Sequence, residues 1–160
     1  MLCKEVPWGH PDAVMLRNAQ SADLSARYGS PITLNEPEPE RLVSMTVLYD
    51  EGPAQLPVGC AALVDFTGVE SLFGEAKTVE MRRVFIHPEL RGNGFSHGII
   101  DALRKLATEK GFDQIVLVSG TKEPEAVGLY KSQGFTELEP YGVSKDWETA
   151  LFFQYDLASA

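Results

Sequence analysis

The chain is poor in cysteine and in basic charge, and it has no long apolar run. Cys3 and Cys60 are its only cysteines and lie far apart in the sequence. Two unclustered cysteines make neither a disulfide framework nor the paired spacing of a zinc site, so no metal is expected. Cys60, between Gly59 and Ala61, is expected as a small buried core residue, and Cys3, near a terminus, as an exposed one. Lys and Arg total 14 against 23 Asp and Glu, a formal net charge of −9. A broad phosphate-binding face needs clustered Lys and Arg, so nucleic acid is excluded as a partner. An acidic chain attracts cationic small molecules over a distance, which suits an amine ligand, although the same balance is ordinary in soluble proteins. No stretch approaches the ~18 apolar residues of a membrane span. The N-terminus has no basic region followed by an apolar run. No membrane partner is expected, and a cytoplasmic address follows by default.

What is present is enough for one core. The chain has 160 residues, of which 44% are hydrophobic, a length and content that fit a single domain over residues 1–160. Leu2–Val6 reads as a short strand. Pro11–Tyr28 reads as a helix with an apolar stripe of Val14, Leu16, Ala19, Leu24 and Ala26, ended by Gly29. A loop rich in Pro and Glu follows, and its Glu36–Glu40 run reads as solvated. Strand signals then recur over Leu42–Tyr49, Val58–Phe66 and Thr78–Ile86, separated by turn residues, which predicts an antiparallel meander.

The pattern then changes. Phe95, Ile99, Leu103 and Leu106 recur at helical spacing, widened by Ile100 and Ala107, and Gly111 sits at the cap. Ile115, Val116, Leu117 and Val118 run unbroken inside Gln114–Ser119, the mark of a parallel strand covered on both faces. Pro124–Ser132 reads as a second short helix, with Pro124 in its first turn and Gly134 beyond its end. Phe135–Leu138 and Ala150–Tyr155 close the chain as strands. The fold class is α/β: a mixed sheet, antiparallel first, with one parallel strand–helix–strand unit over Thr78–Ser119.

Chemistry concentrates between the third strand and the helix after it. Gly92 and Gly94 let the backbone turn tightly and approach a ligand. The turn feeds a helix N-terminus, where unpaired N–H groups and the helix dipole favour an anion. Arg91 adds a fixed positive charge. This arrangement binds a pyrophosphate. It is no Walker loop, because no Gly-Lys-Ser/Thr follows, and the third glycine of a dinucleotide fingerprint is absent at Ser96 and His97. His97 alone is more often a surface residue than a ligand.

Arg91-Gly92-Asn93-Gly94-Phe95-Ser96 resembles the acetyl-CoA loop of the GNAT N-acetyltransferases, Gln/Arg-x-x-Gly-x-Gly/Ala, with Ser96 in place of the small last residue. Ala126-Val127-Gly128-Leu129-Tyr130-Lys131-Ser132-Gln133-Gly134-Phe135 resembles the family's Ala-x-x-x-Tyr-x-x-x-Gly-Phe signature, with Glu123 where an Asn is common just before it. Glu80 to Pro88 is similar to the family's fourth strand. The resemblance is specific from Thr78 to Phe135. It implies a GNAT-like mixed sheet with antiparallel N-terminal strands, a central parallel unit and helices on both faces. It also implies acetyl-CoA as co-substrate, and an amine acceptor that attacks the thioester directly in a ternary complex.

The resemblance assigns roles to residues. Val84, Phe85 and Ile86 would guide the acyl arm, with the Val84 N–H at the thioester oxygen. Arg91, Gly92, Asn93, Gly94, Phe95 and Ser96 would hold the pyrophosphate. Tyr130 would protonate the departing thiolate, a role favoured over that of an ordinary core aromatic because Tyr130 to Phe135 matches as a unit. Glu80 would take the acceptor's proton, or would be a strand glutamate paired with Arg82 or Arg83. Tyr28, Glu36, Glu38, Tyr141 and Trp147 are candidate acceptor-lining residues, each with a plain surface or core explanation. Homodimers are common in the family. Two other readings remain: a non-catalytic acyl-CoA sensor or scaffold, and a protein binding a different diphosphate at Gly92 and Gly94.

Overall fold

The structure is a computed structural model that describes residues 1–32 and 34–158. Its elements are β1 (Leu2–Val6), α1 (Pro11–Tyr28), β2 (Leu42–Tyr49), β3 (Pro57–Asp65), β4 (Thr78–Ile86), α2 (Phe95–Glu109), β5 (Gln114–Gly120), α3 (Pro124–Ser132), β6 (Thr136–Glu137) and β7 (Ala150–Asp156). The strands form one mixed sheet in the order β1-β2-β3-β4-β5-β7-β6. β4 and β5 are its parallel pair, and every other neighbour is antiparallel.

Helices cover both faces. On one, Ile99, Ile100, Leu103 and Ala107 of α2 and Tyr130 of α3 pack with Val79, Met81, Ile115 and Leu117. On the other, Ala13 and Leu16 of α1 meet Met45, Val47, Cys60, Ala62 and Phe85. A third cluster on that side joins Val116 to Phe66, Phe73, Tyr141 and Phe152. β5 is therefore buried on both faces, as its unbroken apolar run predicts. Cys60 is buried and Cys3 half-buried, both as free thiols.

The stripe expected on α1 is shifted. The buried positions are Ala13, Leu16, Arg17, Gln20 and Leu24, a regular 3–4 spacing, whereas Val14 is 37% exposed and Ala26 is exposed. Two polar side chains occupy the packing face, so apolar residues alone misplace it.

Two features of β4 shape the molecule. The pairing with β5 covers only Thr78/Gln114, Val79/Ile115 and Glu80/Val116, while β5 stays paired to β7 as far as Gly120. Beyond Glu80 the two parallel strands part. Opposite β3 the register slips between Cys60 and Ala62, and Arg83 sits there with a left-handed φ of 58°. This is a β-bulge in which a non-glycine residue bears the strained conformation. Gln20 Nε2 donates to the Val84 carbonyl (3.1 Å), and the Cys60 thiol donates to the Arg83 carbonyl (3.4 Å). Side chains from both flanks thus satisfy carbonyls that the bulge removes from the ladder. Close packing holds the β3 side: a Cβ on Gly59 would stand 2.7 Å from the Phe85 carbonyl.

Candidate active site

Where β4 and β5 part, a cleft of ≈ 540 Å³ opens between α1, the end of β4, the turn before α2, and α3. Val84, Phe85 and Ile86 form its floor. Arg91, Gly92, Gly94, Ser96 and His97 form one wall, and Tyr130 lies opposite on α3. Most residues singled out in the sequence are therefore brought to one place. Asn93 and Phe95 are not among the lining residues: the Asn93 amide donates to the Leu90 carbonyl (3.0 Å), and Phe95 packs against the core.

The turn leaves space and backbone donors free. Gly92 and Gly94 have φ of 84° and 81°, and a Cβ on either would meet nothing within 4 Å. Their hydrogens thus face open space, and the φ values are ones that L side chains rarely adopt. Gly94 is the N-cap of α2 and brings no side chain to bond the first N–H groups, which leaves those donors and the helix dipole for a ligand. Arg91 is held over the turn by Nε donating to the Ile86 carbonyl (3.0 Å) and lies 5.7 Å from the centre of the Phe85 ring.

Four charges bridge the mouth. Asp23 accepts from Arg27 (3.2 Å) and meets Arg91 (3.4 Å). Glu125 pairs with Arg27 and, at 3.6 Å, with Arg91. The Arg27 hydrogen bond holds the Glu125 carboxyl below the usual carboxylate range. Asp23, Arg27 and Gln20 were not singled out in the sequence. Their signal is the spacing of Gln20, Leu24 and Arg27 along one face of α1.

Glu123 also lines the cleft. Its carboxylate accepts from the Tyr28 hydroxyl (3.1 Å), and burial raises its pKa. Tyr28 stacks on Trp147 with ring centres 6.5 Å apart, and burial followed by the Glu123 charge pushes its hydroxyl up to about 12. Tyr130 is 6% exposed and packs edge-on against Phe135 at 5.7 Å. Its hydroxyl pKa is raised, first by burial and then by Glu123.

Glu80 is outside the lining. It is 6% exposed, accepts from the Tyr141 hydroxyl at 2.7 Å, and pairs with Arg82. It stands at the last β4–β5 pair, where the strands part. Tyr141 is buried on it, while Glu36 and Glu38 are exposed on the loop after α1, Glu38 meeting Arg41 at 3.5 Å. No helix among the described residues is long and apolar enough to cross a membrane. No group of three metal-ligating side chains occurs among them.

Residues 43–137 match the family described as acetyltransferase (GNAT) domain. The chain belongs to the GNAT acetyltransferase family. This GNAT chain is 28% identical over 100 residues to an IAA acetyltransferase of Azospirillum brasilense, covering 62% of the chain and 61% of that relative. It spans 61% or less of the length of the curated relatives it matches. Its fold is shared with a Klebsiella pneumoniae structure assigned to the acyl-CoA N-acyltransferases, at TM-score 0.78 and 20% identity over 98% of this chain and 97% of that one. It is shared also with a GNAT acetyltransferase of Elizabethkingia anophelis with acetyl-CoA bound, at TM-score 0.66 and 14% identity over 97% of each chain.

Proposed function

We propose that residues 1–160 act as one acyltransferase domain that takes acetyl-CoA as co-substrate and passes its acetyl group to a primary amine of a small molecule or protein. The observation that carries this reading is the convergence on one cleft of the β4 edge, the Arg91–Ser96 turn and the Tyr130 hydroxyl. The turn fits a pyrophosphate: two glycines with open space above them, an uncapped helix N-terminus and one arginine. Arg91, Gly92, Gly94 and Ser96 would hold it, with Asn93 and Phe95 shaping the turn from outside. Val84, Phe85 and Ile86 would align the acyl arm. Because the bulge takes Arg83 and Val84 out of register with β3, the Val84 N–H is assigned to the thioester oxygen, where a fixed donor stabilises developing charge.

Thiol release from acetyl-CoA across a broad amine panel tests the reading. Release with at least one amine supports it. Normal acetyl-CoA binding with no release from any amine would instead favour the non-catalytic acyl-CoA sensor.

An amine must lose a proton before it attacks, and an alkylammonium has a pKa of ~10.4. Glu80 is assigned as the receiver. Its support is its place at the parting of β4 and β5. Because Tyr141 and Arg82 already occupy the carboxylate, the proton would travel through water. Glu80→Gln keeps an acceptor for Tyr141 and removes the base. Its kcat/KM should fall ~10-fold or more with acetyl-CoA affinity unchanged. An unchanged kcat/KM would return Glu80 to a purely structural role.

The charges at the mouth add a prediction. Asp23 and Glu125 hold Arg91 in the free protein, so a pyrophosphate must compete with them. Partly exposed pairs of this kind contribute ~0–1 kcal/mol. Asp23→Asn should therefore tighten acetyl-CoA binding by about two- to five-fold, read by calorimetry at low salt, and the gain should shrink as salt rises. Weaker binding would show that Asp23 positions Arg91 instead of competing for it.

A further inference from the structure

Two arginines stand just beyond the cleft without a carboxylate partner. Gln20, Leu24 and Arg27 line the cleft from α1. One step back along the same helix face, three residues and about 4.5 Å earlier, is Arg17, which is 7% exposed. Its guanidinium sits over the Trp8 ring, 3.8 Å from the centroid, and Nη1 reaches only the Met45 sulfur (3.5 Å). Facing it is Arg83 at the β4 bulge. Arg83 Nη1 donates to the Arg17 carbonyl (3.4 Å), Gln20 Oε1 (3.2 Å) and Ser21 Oγ (3.2 Å). Its Nε is buried with no partner. Every other arginine of the chain is paired with a carboxylate. Among the described residues these two are not.

Burying a cation without a counter-charge is costly, and placing a second one beside it adds repulsion. Both guanidinium pKa values are lowered by burial, and that of Arg83 further by Arg17. The carboxylate whose field reaches both is Glu36, exposed on the loop after α1 and in no ion pair with either. The site thus has positive charge, desolvation, planar forked donors suited to a carboxylate, and a buried Arg83 Nε that no described residue meets. It is also tied to the reacting end of the cleft: Gln20 bonds Arg83 through one amide atom and the Val84 carbonyl through the other.

We propose that Arg17 and Arg83 form a subsite for a carboxylate on the acceptor, so that the acceptor is an amino acid or a similarly short amino-carboxylic acid. The inference rests on the transfer reading above, which puts the acyl group at Val84, next to Arg83. A carboxylate held one residue from that point leaves a span of only a few atoms to the attacking nitrogen. Long polyamines, which carry no anion, fit this subsite poorly. Glu36, the exposed carboxylate whose field reaches both arginines, gives way to the acid when it binds.

Matched acceptors test this: an amino acid, its amide, its decarboxylated amine and a polyamine, each assayed for thiol release at saturating acetyl-CoA. The acid should exceed its amide in kcat/KM by ~10-fold or more, since hydrogen-bonded charge pairs contribute ~1.5–3 kcal/mol. Arg17→Met should remove that preference, chiefly through KM, with acetyl-CoA affinity unchanged. Equal kcat/KM for acid and amide in the unmodified protein overturns the subsite and leaves the transfer reading standing, whatever the variant does. A second readout needs no chemistry: calorimetric binding of the N-acetyl amino acid and of its amide to protein loaded with CoA. Should no amine release thiol while the acid still binds ~10-fold tighter than the amide, and lose that advantage in Arg17→Met, the subsite stands and the transfer reading falls. Equal or absent binding of the two overturns the subsite by this route as well.

Discussion

Gly94→Asp should lose acetyl-CoA binding by roughly 10²-fold or more while unfolding at nearly the temperature of the unmodified protein. The two halves of this result have separate causes. A Cβ at this position would meet nothing within 4 Å, so the site is not closed by packing. The new side chain would instead stand in the space the ligand needs. A carboxylate about 5 Å from a pyrophosphate oxygen, at an effective dielectric constant of ~20, costs about 3 kcal/mol, or ~10²-fold. Asp at the N-cap would also accept from the same N–H groups that Gly94 leaves free, taking the donors away from any anion. That self-capping supports α2 and offsets the ~1 kcal/mol of left-handed strain, which Asp tolerates better than most residues. Gly94→Ala separates the terms, since it carries the strain without the charge and should lose far less affinity. Calorimetry with CoA reads all three proteins. A normal dissociation constant for Gly94→Asp would remove the pyrophosphate from this turn.

The parts of the molecule legible in the sequence are those fixed by local pattern. The α2 stripe of Ile99, Ile100, Leu103 and Ala107 and the unbroken Ile115–Val118 run place the parallel unit, because each signal is carried by neighbours in the chain. The turn at Gly92 and Gly94 is legible for the same reason: its φ values of 84° and 81° are ones that glycine adopts freely. What escaped depends on residues far apart. α1 presents Gln20 to the sheet because its partners are at the β4 bulge, more than sixty positions away, and Arg17 because its guanidinium meets Trp8 and Met45; no periodicity of apolar residues predicts a polar packing face. The bulge is invisible because Arg83, not a glycine, adopts φ 58°. By sequence alone Tyr141 is a candidate acceptor-lining side chain. Its hydroxyl instead meets Glu80, and its ring packs with Phe66, Phe73 and Phe152. Glu123, standing where the family resemblance expects an Asn, finds its partner in Tyr28 across 95 positions, which explains how a half-buried carboxylate is kept in the cleft lining.

Tyr130→Phe should lower kcat by about 10²-fold with acetyl-CoA affinity nearly unchanged. The substitution removes one oxygen. The ring stays packed between Phe135 and Phe153, at 5.7 and 6.1 Å, so α3 keeps its contacts and the cleft its shape. What is lost is a proton donor. Burial, reinforced by the Glu123 charge, raises the Tyr130 pKa above that of a free phenol, which is ~10. A raised pKa keeps the hydroxyl protonated at every pH below that value, so the proposed role open to Tyr130 across the working range is that of an acid and not of a base. Two consequences distinguish this role from a structural one. The alkaline limb of the kcat profile should not come from Tyr130, so the remaining activity of Tyr130→Phe should show the same limb. The defect should also shrink when the leaving thiol is more acidic than that of CoA, because a stable thiolate needs no proton. Thiol esters of graded thiol acidity, compared in the two proteins, read this directly. An equal defect across the series would make Tyr130 a packing residue. Glu123→Gln supplies the complementary test. Removing its negative charge should lower the Tyr130 pKa while leaving the phenol protonated at neutral pH, so turnover there should change far less than in Tyr130→Phe.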